Sequence, residues 1–160
     1  MTDNTHFVTD GKISIKLGAT STVLEYTLGA RATGNLGTVW RYVRASTAIA
    51  QYDVVNFGTD WYAVPATATL VATGDMVGVA QVAFAAGEYG WVCTEADKIS
   101  VNVSSSATAA TQLYIATTAG SLSTTSSSGT LAGIHLTTSP VTTGVTLATA
   151  VMRAPTYKVL

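Results

Sequence analysis

No Asp, Glu, Lys or Arg residue occurs between Lys98 and Arg153, a stretch of about a third of this chain. A solvent-exposed surface of that size ordinarily carries charges, so we expect part of the stretch to be buried in a core or against other subunits. The chain as a whole is 11% charged and 48% hydrophobic. Disordered chains combine low hydrophobicity with high net charge, so these values predict a packed fold.

The charge balance and the start of the chain indicate which binding partners and which cellular compartment to expect. Eight Lys and Arg residues against nine Asp and Glu give a formal net charge of -1, and no segment gathers the basic residues into a stripe. Binding to phosphate backbones depends on such cations, so nucleic acid is not an expected partner. The chain starts without a signal-peptide pattern and has no long apolar run. We therefore expect a soluble protein made in the cytosol, with no membrane partner.

Alternation of apolar and polar residues predicts short β-strands in most of the chain. Residues 12–17 alternate in this way, and a hairpin turn is expected near Gly18 to Ser21. A Gly-containing connection at 58–60 predicts a second hairpin, and Pro65 is expected to end it. The last third reads as strand, turn, short strand, polar loop and strand over 113–136. The other predicted strands are 38–45, 53–57, 61–64, 76–84, 89–94 and 99–103.

These patterns predict an all-β fold, a compact β-barrel or β-sandwich of short antiparallel strands, and the two architectures stay open. Two turns of helix are expected at 106–115, because β-branched residues and Gly oppose helix elsewhere. Residues 1–11 are polar and aperiodic, which predicts a flexible N-terminal arm. Residues 12–160 are expected to form a single β-domain, with N-terminal strands over 12–44 and a body over 45–160.

Residue types that carry catalysis or bind metals are scarce. The two histidines are His6, in the predicted arm, and His135, in a predicted strand without a spaced carboxylate or second His. Metal-ligand spacings, phosphate-binding loops and a nucleophile elbow are all missing from the sequence. Cys93 lies in an apolar stretch and is expected to be a buried structural thiol. We therefore predict no catalytic residue, no cofactor and no metal site, and a protein that is not an enzyme.

Aromatic residues are more informative, because they lie in or beside the predicted strands. Large aromatic side chains pack cores and anchor protein interfaces, and these two roles are favoured here. Stacking on sugar rings stays open as an alternative. The candidate interface residues are His6, Phe7, Val8, Trp40, Tyr42, Trp61, Tyr89, Trp91 and His135.

Three segments carry a resemblance to a known family: VGVA at 77–80, GEYGWV at 87–92 and LYIATTAGSL at 113–122. Over roughly 45–150 the chain resembles capsid decoration (cement) or head-fibre-base proteins of tailed bacteriophages. The resemblance implies a β-barrel-like body, a projecting arm and assembly on a capsid, commonly as trimers at threefold positions. No motif separates a trimer from a dimer.

The predicted function is that of a structural virion protein on the outer surface of a capsid. It would bind copies of itself and the major capsid protein between coat subunits, and stabilise the mature shell. The arm is expected to become ordered on a coat protein. The main alternative is a carbohydrate-binding or adhesion module of a phage fibre or tail. A tail-tube or neck component and a small hydrolase are further alternatives.

Overall fold

The structure is a computed structural model in which strands account for 55% of the chain and helix for 2%. The predicted all-β class is confirmed. For residues 5–7, 14, 129 and 157–159 the structure describes the backbone alone. The described residues are 5–7, 14–68, 75–104, 107, 109, 112–125, 129–138 and 146–159.

The strands vary widely in length, and two of them are much longer than the pattern predicts. The strands are β1 (Thr5–Phe7), β2 (Ser14–Lys16), β3 (Thr20–Ser21), β4 (Arg31–Thr33), β5 (Val39–Ala45), β6 (Val54–Phe57), β7 (Tyr62–Pro65), β8 (Met76–Val79), β9 (Tyr89–Val103), β10 (Tyr114–Ile115), β11 (Leu122–Ser123), β12 (Gly129–Leu136) and β13 (Thr146–Val159). A 3-10 helix, Asn35–Gly37, precedes β5.

Six strands close into a barrel, which decides between the two architectures left open by the sequence. Around the ring β9 pairs with β13, β13 with β8, β8 with β6, β6 with β7, β7 with β5, and β5 again with β9. The β5–β7 pair is parallel and aligns Arg44 with Tyr62, whereas the other five pairs are antiparallel. Closure gives each ring strand a neighbour on both sides, so the ring has no open edge.

Alternating side chains of the ring strands contribute to two apolar cores, because successive residues of a strand point to opposite faces. In β5, Val43 and Ala45 belong to the smaller core, while Trp40 and Tyr42 belong to the larger one. The smaller core also takes residues from β6, β7 and β9. The larger core continues along β9 and β13 to β10, β11 and β12.

In strands β12 and β13, the charge-free stretch has one buried face and one exposed face. Leu131, Ile134 and Leu136 of β12 are buried, and in β13 Ala148, Ala150 and Met152 are buried. The residues between them face outward: Ala132 and His135 are exposed, and Leu147 is 51% exposed. The expected burial in a core is therefore confirmed for one face. Burial of the other face against a second subunit stays a prediction.

Several strand predictions are confirmed. Strands β6 and β7 form the predicted hairpin, and β7 ends at Pro65. Strands β10 and β11 form a second hairpin, and β12 covers the last apolar run of 113–136.

Three strand predictions and the helix prediction are wrong. The predicted strand 76–84 is shorter, because β8 ends at Val79. No hairpin turns at Gly18 to Ser21: β2 pairs backward with β1, and β3 pairs with the distant β9. The predicted strands 89–94 and 99–103 are one continuous strand, β9. Asp97 and Lys98 do not interrupt it, because their side chains are exposed while the residues on either side of them stay paired with β13. The predicted helix at 106–115 is contradicted at its end, where Tyr114 and Ile115 form β10.

The N-terminal strands lie outside the barrel ring. Strands β1 and β2 pair only with each other among the described elements, aligning Thr5 with Lys16 and Phe7 with Ser14. The prediction of a flexible arm over residues 1–11 stays a prediction.

Candidate functional site

A surface pocket of about 280 Å³ lies beside β5 and β9, on the side of the larger core. Four aromatic side chains, two charged side chains and two hydroxyl side chains line it. The lining residues are Lys16, Ala19, Thr20, Ser21, Glu25, Tyr26, Tyr42, Tyr89 and Trp91. We refer to these nine residues as the aromatic pocket.

Strand pairing brings the aromatic residues together. The register of β5 on β9 aligns Tyr42 with Trp91, and the period of two places Tyr89 on the same face of β9 as Trp91. Strand β3 pairs with the start of β9 and so brings Thr20 and Ser21 to the same place. The segment after β3 then crosses Tyr42, where the backbone N–H of Glu25 donates a hydrogen bond to the Tyr42 hydroxyl at 3.3 Å.

The four rings form a floor and two walls. Tyr42 and Trp91 are the floor: they are 2% and 3% exposed, and their ring centroids are 5.0 Å apart. Tyr26 stands edge-on to Tyr42, at 5.2 Å and 79°. Tyr89 lies nearly parallel to Tyr42, at 6.3 Å and 14°. Edge-to-face and offset parallel arrangements are the favoured geometries of aromatic pairs, so the rings hold one another in place.

Arg44 supports one wall of the pocket from β5. Its guanidinium carbon lies 5.5 Å from the ring centroid of Tyr62 and 5.7 Å from that of Tyr89. Such cation–π contacts stabilise the position of a ring that is only half buried. Tyr62 itself is not part of the pocket lining.

The rim of the pocket is polar and carries both signs of charge. Lys16 and Glu25 are exposed, whereas Thr20 and Ser21 are half-buried. Burial raises the pKa of Tyr42, and the nearby Glu25 carboxylate acts in the same direction, against the hydrogen bond from the Glu25 N–H. The phenol is therefore neutral at ordinary pH and keeps its O–H as a donor. The site thus combines aromatic faces with donors and acceptors.

A second cavity, of about 220 Å³, lies where β5, β8, β9 and β13 meet. Its walls include Val39, Met76 and Pro155. Arg41 also lines it, but its guanidinium donates to the Gly29 carbonyl at 3.1 Å and lies 5.6 Å from the ring centroid of Trp61. The cavity is therefore mainly apolar, and its cation already has partners.

The comparisons with known proteins give no family for this chain. No protein-family model matches it, and no curated protein matches it. Within the described ranges, no three His, Cys, Asp or Glu side chains lie close enough together to hold a metal ion. Nor does any helix of the described part have the length and apolar character needed to cross a membrane.

The predicted interface residues fall into different environments. Trp40, Tyr42 and Trp91 are buried within the single chain. Of the two roles favoured for aromatic residues, core packing and interface contact, they therefore have core packing. Trp61 is half-buried against the smaller core, and His135 is exposed on β12. Of the N-terminal residues, His6 and Phe7 are in β1 with only their backbone described, and Val8 lies outside the described residues.

The structure brings Tyr42, Tyr89 and Trp91 into one pocket, together with three residues that the sequence did not single out: Lys16, Glu25 and Tyr26. The segment that carries Glu25 and Tyr26 has no strand of its own between β3 and β4. Without the regular alternation of a strand, the sequence does not show in which direction the side chains of Glu25 and Tyr26 point. The only sequence signal was an aromatic residue next to an acidic one.

Cys93 is a free, buried cysteine, as expected. Its thiol packs in the larger core and lies 3.3 Å from the carbonyl oxygen of Glu95. Burial raises the pKa of Cys93 to about 12. Because the thiolate is the reactive form, this residue has the character of a structural thiol.

Proposed function

We propose that this chain is a structural virion protein that binds the outside of a bacteriophage capsid between coat subunits and stabilises the mature shell. The resemblance of the segments at 77–80, 87–92 and 113–122 to capsid decoration proteins motivates the proposal. The closed barrel agrees with the β-body that this resemblance implies.

One observation carries the proposal beyond the resemblance: large apolar side chains are exposed in the segment before β5. Val23 is 66% exposed, Leu24 52% and Leu36 91%. Leu36 lies in the 3-10 helix with a φ of +57°, a conformation that costs a non-glycine residue about 1–2 kcal/mol. Exposed apolar residues are typical of a surface that a partner covers, and at Leu36 the strained backbone also holds the side chain outward. We assign Val23, Leu24 and Leu36 to contact with the major capsid protein.

The outer face of β12 and of the part of β13 before Arg153 carries no acidic or basic side chain other than His135, which supports the second part of the proposal, assembly with copies of this chain. His135 and Val151 are aligned across these strands, and Leu147 is exposed on β13. No carboxylate or ammonium group has to be desolvated when such a face is covered. We assign this face to a homotrimer, the state that the resemblance implies.

Stabilisation of the shell follows from mass action. A protein that binds only the assembled, mature arrangement of coat subunits lowers the free energy of that arrangement relative to the dissociated subunits. No reaction is needed. The effect grows with the concentration of the decorating protein.

The test uses purified full-length protein and empty mature shells of the phage that encodes it. We expect the protein to sediment with the shells, to raise their disruption temperature and to appear on their outer surface by electron microscopy. Replacing Leu36 by Ser, together with Val23 and Leu24 by Ser, should abolish co-sedimentation. Tyr62→Ser, which removes an exposed large side chain outside both assigned contacts, is the control for loss of an apolar surface group. Failure of the unaltered protein to bind these shells would refute the proposal.

A further inference from the structure

We propose that the aromatic pocket binds a neutral sugar ring, such as one hexose residue of a glycan. The pocket shares no residue with the assigned contacts, although Val23 and Leu24 of the coat-protein contact directly precede Glu25 in the chain. It is therefore tested on the free protein, without shells.

The composition of the pocket matches the two kinds of surface that a sugar ring has. A pyranose has a C–H face that packs on an aromatic ring, and hydroxyl groups around its edge that donate and accept hydrogen bonds. Tyr26 and Tyr89 are half-buried rings that line the pocket. Around them Lys16 supplies donors and the carboxylate of Glu25 supplies acceptors.

The size of the pocket limits what it can hold. Sites for drug-sized ligands occupy about 300–1,000 Å³. At about 280 Å³ the aromatic pocket is just below that range, which suits one ring rather than a long oligomer. A longer glycan would place one residue in the pocket and extend into solvent.

The charges disfavour the other common ligand of aromatic clusters, a quaternary ammonium group. Such ligands are held by the faces of several rings around one cation. Here Lys16 lines the pocket and the guanidinium of Arg44 lies over the ring of Tyr89, so two positive charges outweigh the single carboxylate of Glu25 and disfavour a cation. The rings of Tyr26 and Trp91 also pack against each other, with centroids 5.3 Å apart. A neutral ligand avoids the repulsion between positive charges.

The experiment is a titration of isotope-labelled full-length protein followed by nuclear magnetic resonance. The probes are glucose, galactose, mannose and N-acetylglucosamine, each to about 100 mM, because a ligand of this size at ordinary efficiency has a Kd on the order of 1–10 mM. We expect saturable shifts for at least one of the four sugars, centred on Tyr26, Tyr89 and Trp91.

Two tyrosine variants provide the matched comparison. Tyr89→Ala removes a pocket wall and should weaken sugar binding about tenfold. Tyr62→Ala also removes a ring from Arg44 but lies outside the pocket lining, so its affinity should equal that of the unaltered protein. Tyr26→Ala provides a second test of the walls, should Tyr89→Ala fail to fold. Unchanged spectral dispersion shows that each variant is folded.

Three outcomes would overturn the proposal. The first is the absence of saturable binding for all four sugars. The second is an equal loss of affinity in Tyr62→Ala and Tyr89→Ala. The third is tighter binding of tetramethylammonium than of any sugar, with loss of that binding in Glu25→Gln. Retained sugar binding in Glu25→Gln supports it, because an amide still bonds to hydroxyl groups while its charge is gone.

Discussion

Gly120 shows how a single hydrogen atom in place of a side chain allows three parts of the chain to meet. It has a φ of +75°, and a Cβ built on it would lie within 2.3–2.7 Å of the Asp53 carboxyl group. Its N–H donates to the carbonyl of Ala66, and its own carbonyl accepts from the N–H of Val54. Asp53 in turn accepts hydrogen bonds from the Ala50 N–H and the Asn102 side chain. The turn before β11 is thereby fastened to the barrel.

We predict that Gly120→Ala destabilises the protein much more than Gly37→Ala. Both glycines have a positive φ, but nothing lies within 4 Å of a Cβ at Gly37. Gly37→Ala should therefore cost only the backbone strain, about 1 kcal/mol, whereas Gly120→Ala adds an overpacking cost of about 1–3 kcal/mol. Urea unfolding of the two variants measures the difference. Equal destabilisation would show that the contact with Asp53 is without energetic effect.

Cys93 makes the stability depend on pH above the neutral range. Its pKa rises from an ordinary 9.0 to about 12 in the folded protein, because burial disfavours the thiolate. Above pH 9 the unfolded chain loses this proton while the folded chain keeps it, so the unfolded state is favoured as pH rises. The contribution of the protonated thiol is fully present below pH 9 and decreases by about 1.4 kcal/mol per pH unit between about pH 9 and 12.

The matching prediction compares the unaltered protein with Cys93→Ala. The free energy of unfolding of the unaltered protein, minus that of Cys93→Ala, should fall with that slope above pH 9 and stay constant from pH 7 to 8. The ionisation of Tyr42, whose pKa is also raised, occurs in both proteins and cancels in the difference. Denaturant unfolding at half-unit pH intervals measures it. A difference independent of pH up to 11 would contradict the burial of the thiol.

At the scale of elements, β9 organises the molecule because it has partners on both edges along much of its length. Its first half pairs with β5, its second half with β13, and β3 and β11 add to its ends. The exposed ion pair of Asp97 with Arg153 joins β9 to β13. Exposed pairs of this kind contribute between zero and about 1 kcal/mol, so the ladder and the cores hold the strand.

Deletion of residues 1–11 tests the predicted arm. The deletion removes β1, which pairs with β2 outside the barrel ring, so the barrel should stay folded with a similar melting temperature. Binding to shells should be lost, since we propose that this segment becomes ordered on a coat protein. Circular dichroism and co-sedimentation measure the two effects. Unchanged binding would refute the role of the arm, and loss of the fold would show that β1 is part of the stable body.

At the scale of the whole molecule, the large aliphatic residues that are exposed in the described part lie in two separate parts of the chain. Val23, Leu24 and Leu36 precede β5, and Leu147 lies on β13 within the charge-free stretch. A protein that bridges coat subunits and also binds copies of itself needs two such surfaces. The two proposed contacts can therefore be removed independently.

We predict that the protein is a trimer in solution and that Leu147→Asp makes it a monomer. A carboxylate buried at a subunit contact would lose its hydration without gaining a partner from the uncharged face. Leu36→Asp, the matched change on the other surface, should leave the trimer intact. Light scattering of the unaltered protein and both variants measures the mass. A monomeric unaltered protein would exclude the proposed self-assembly.

Local patterns in the sequence were sufficient for the strand content and for two hairpins. Alternation with a period of two is visible in β5, and a Gly-containing turn between apolar runs predicted the β6–β7 pair. The buried thiol of Cys93 also followed from its apolar neighbours. All these features depend on contacts between residues that are close in the chain.

The pairing of distant strands was decided only by the tertiary structure. Closure of the ring requires β13 to reach both β8 and β9, and the aromatic pocket requires Tyr26, Tyr42 and Trp91 to converge from separate segments. In β9, residues 90–94 are all buried, because one core packs against each face of the strand. The sequence there does not alternate between apolar and polar residues, so it does not show which core a given side chain belongs to. The sequence by itself determined that this chain forms strands and keeps charge away from a third of its length. Which strands pair, and which aromatic rings meet, depends on burial that these residues acquire only once the barrel is closed.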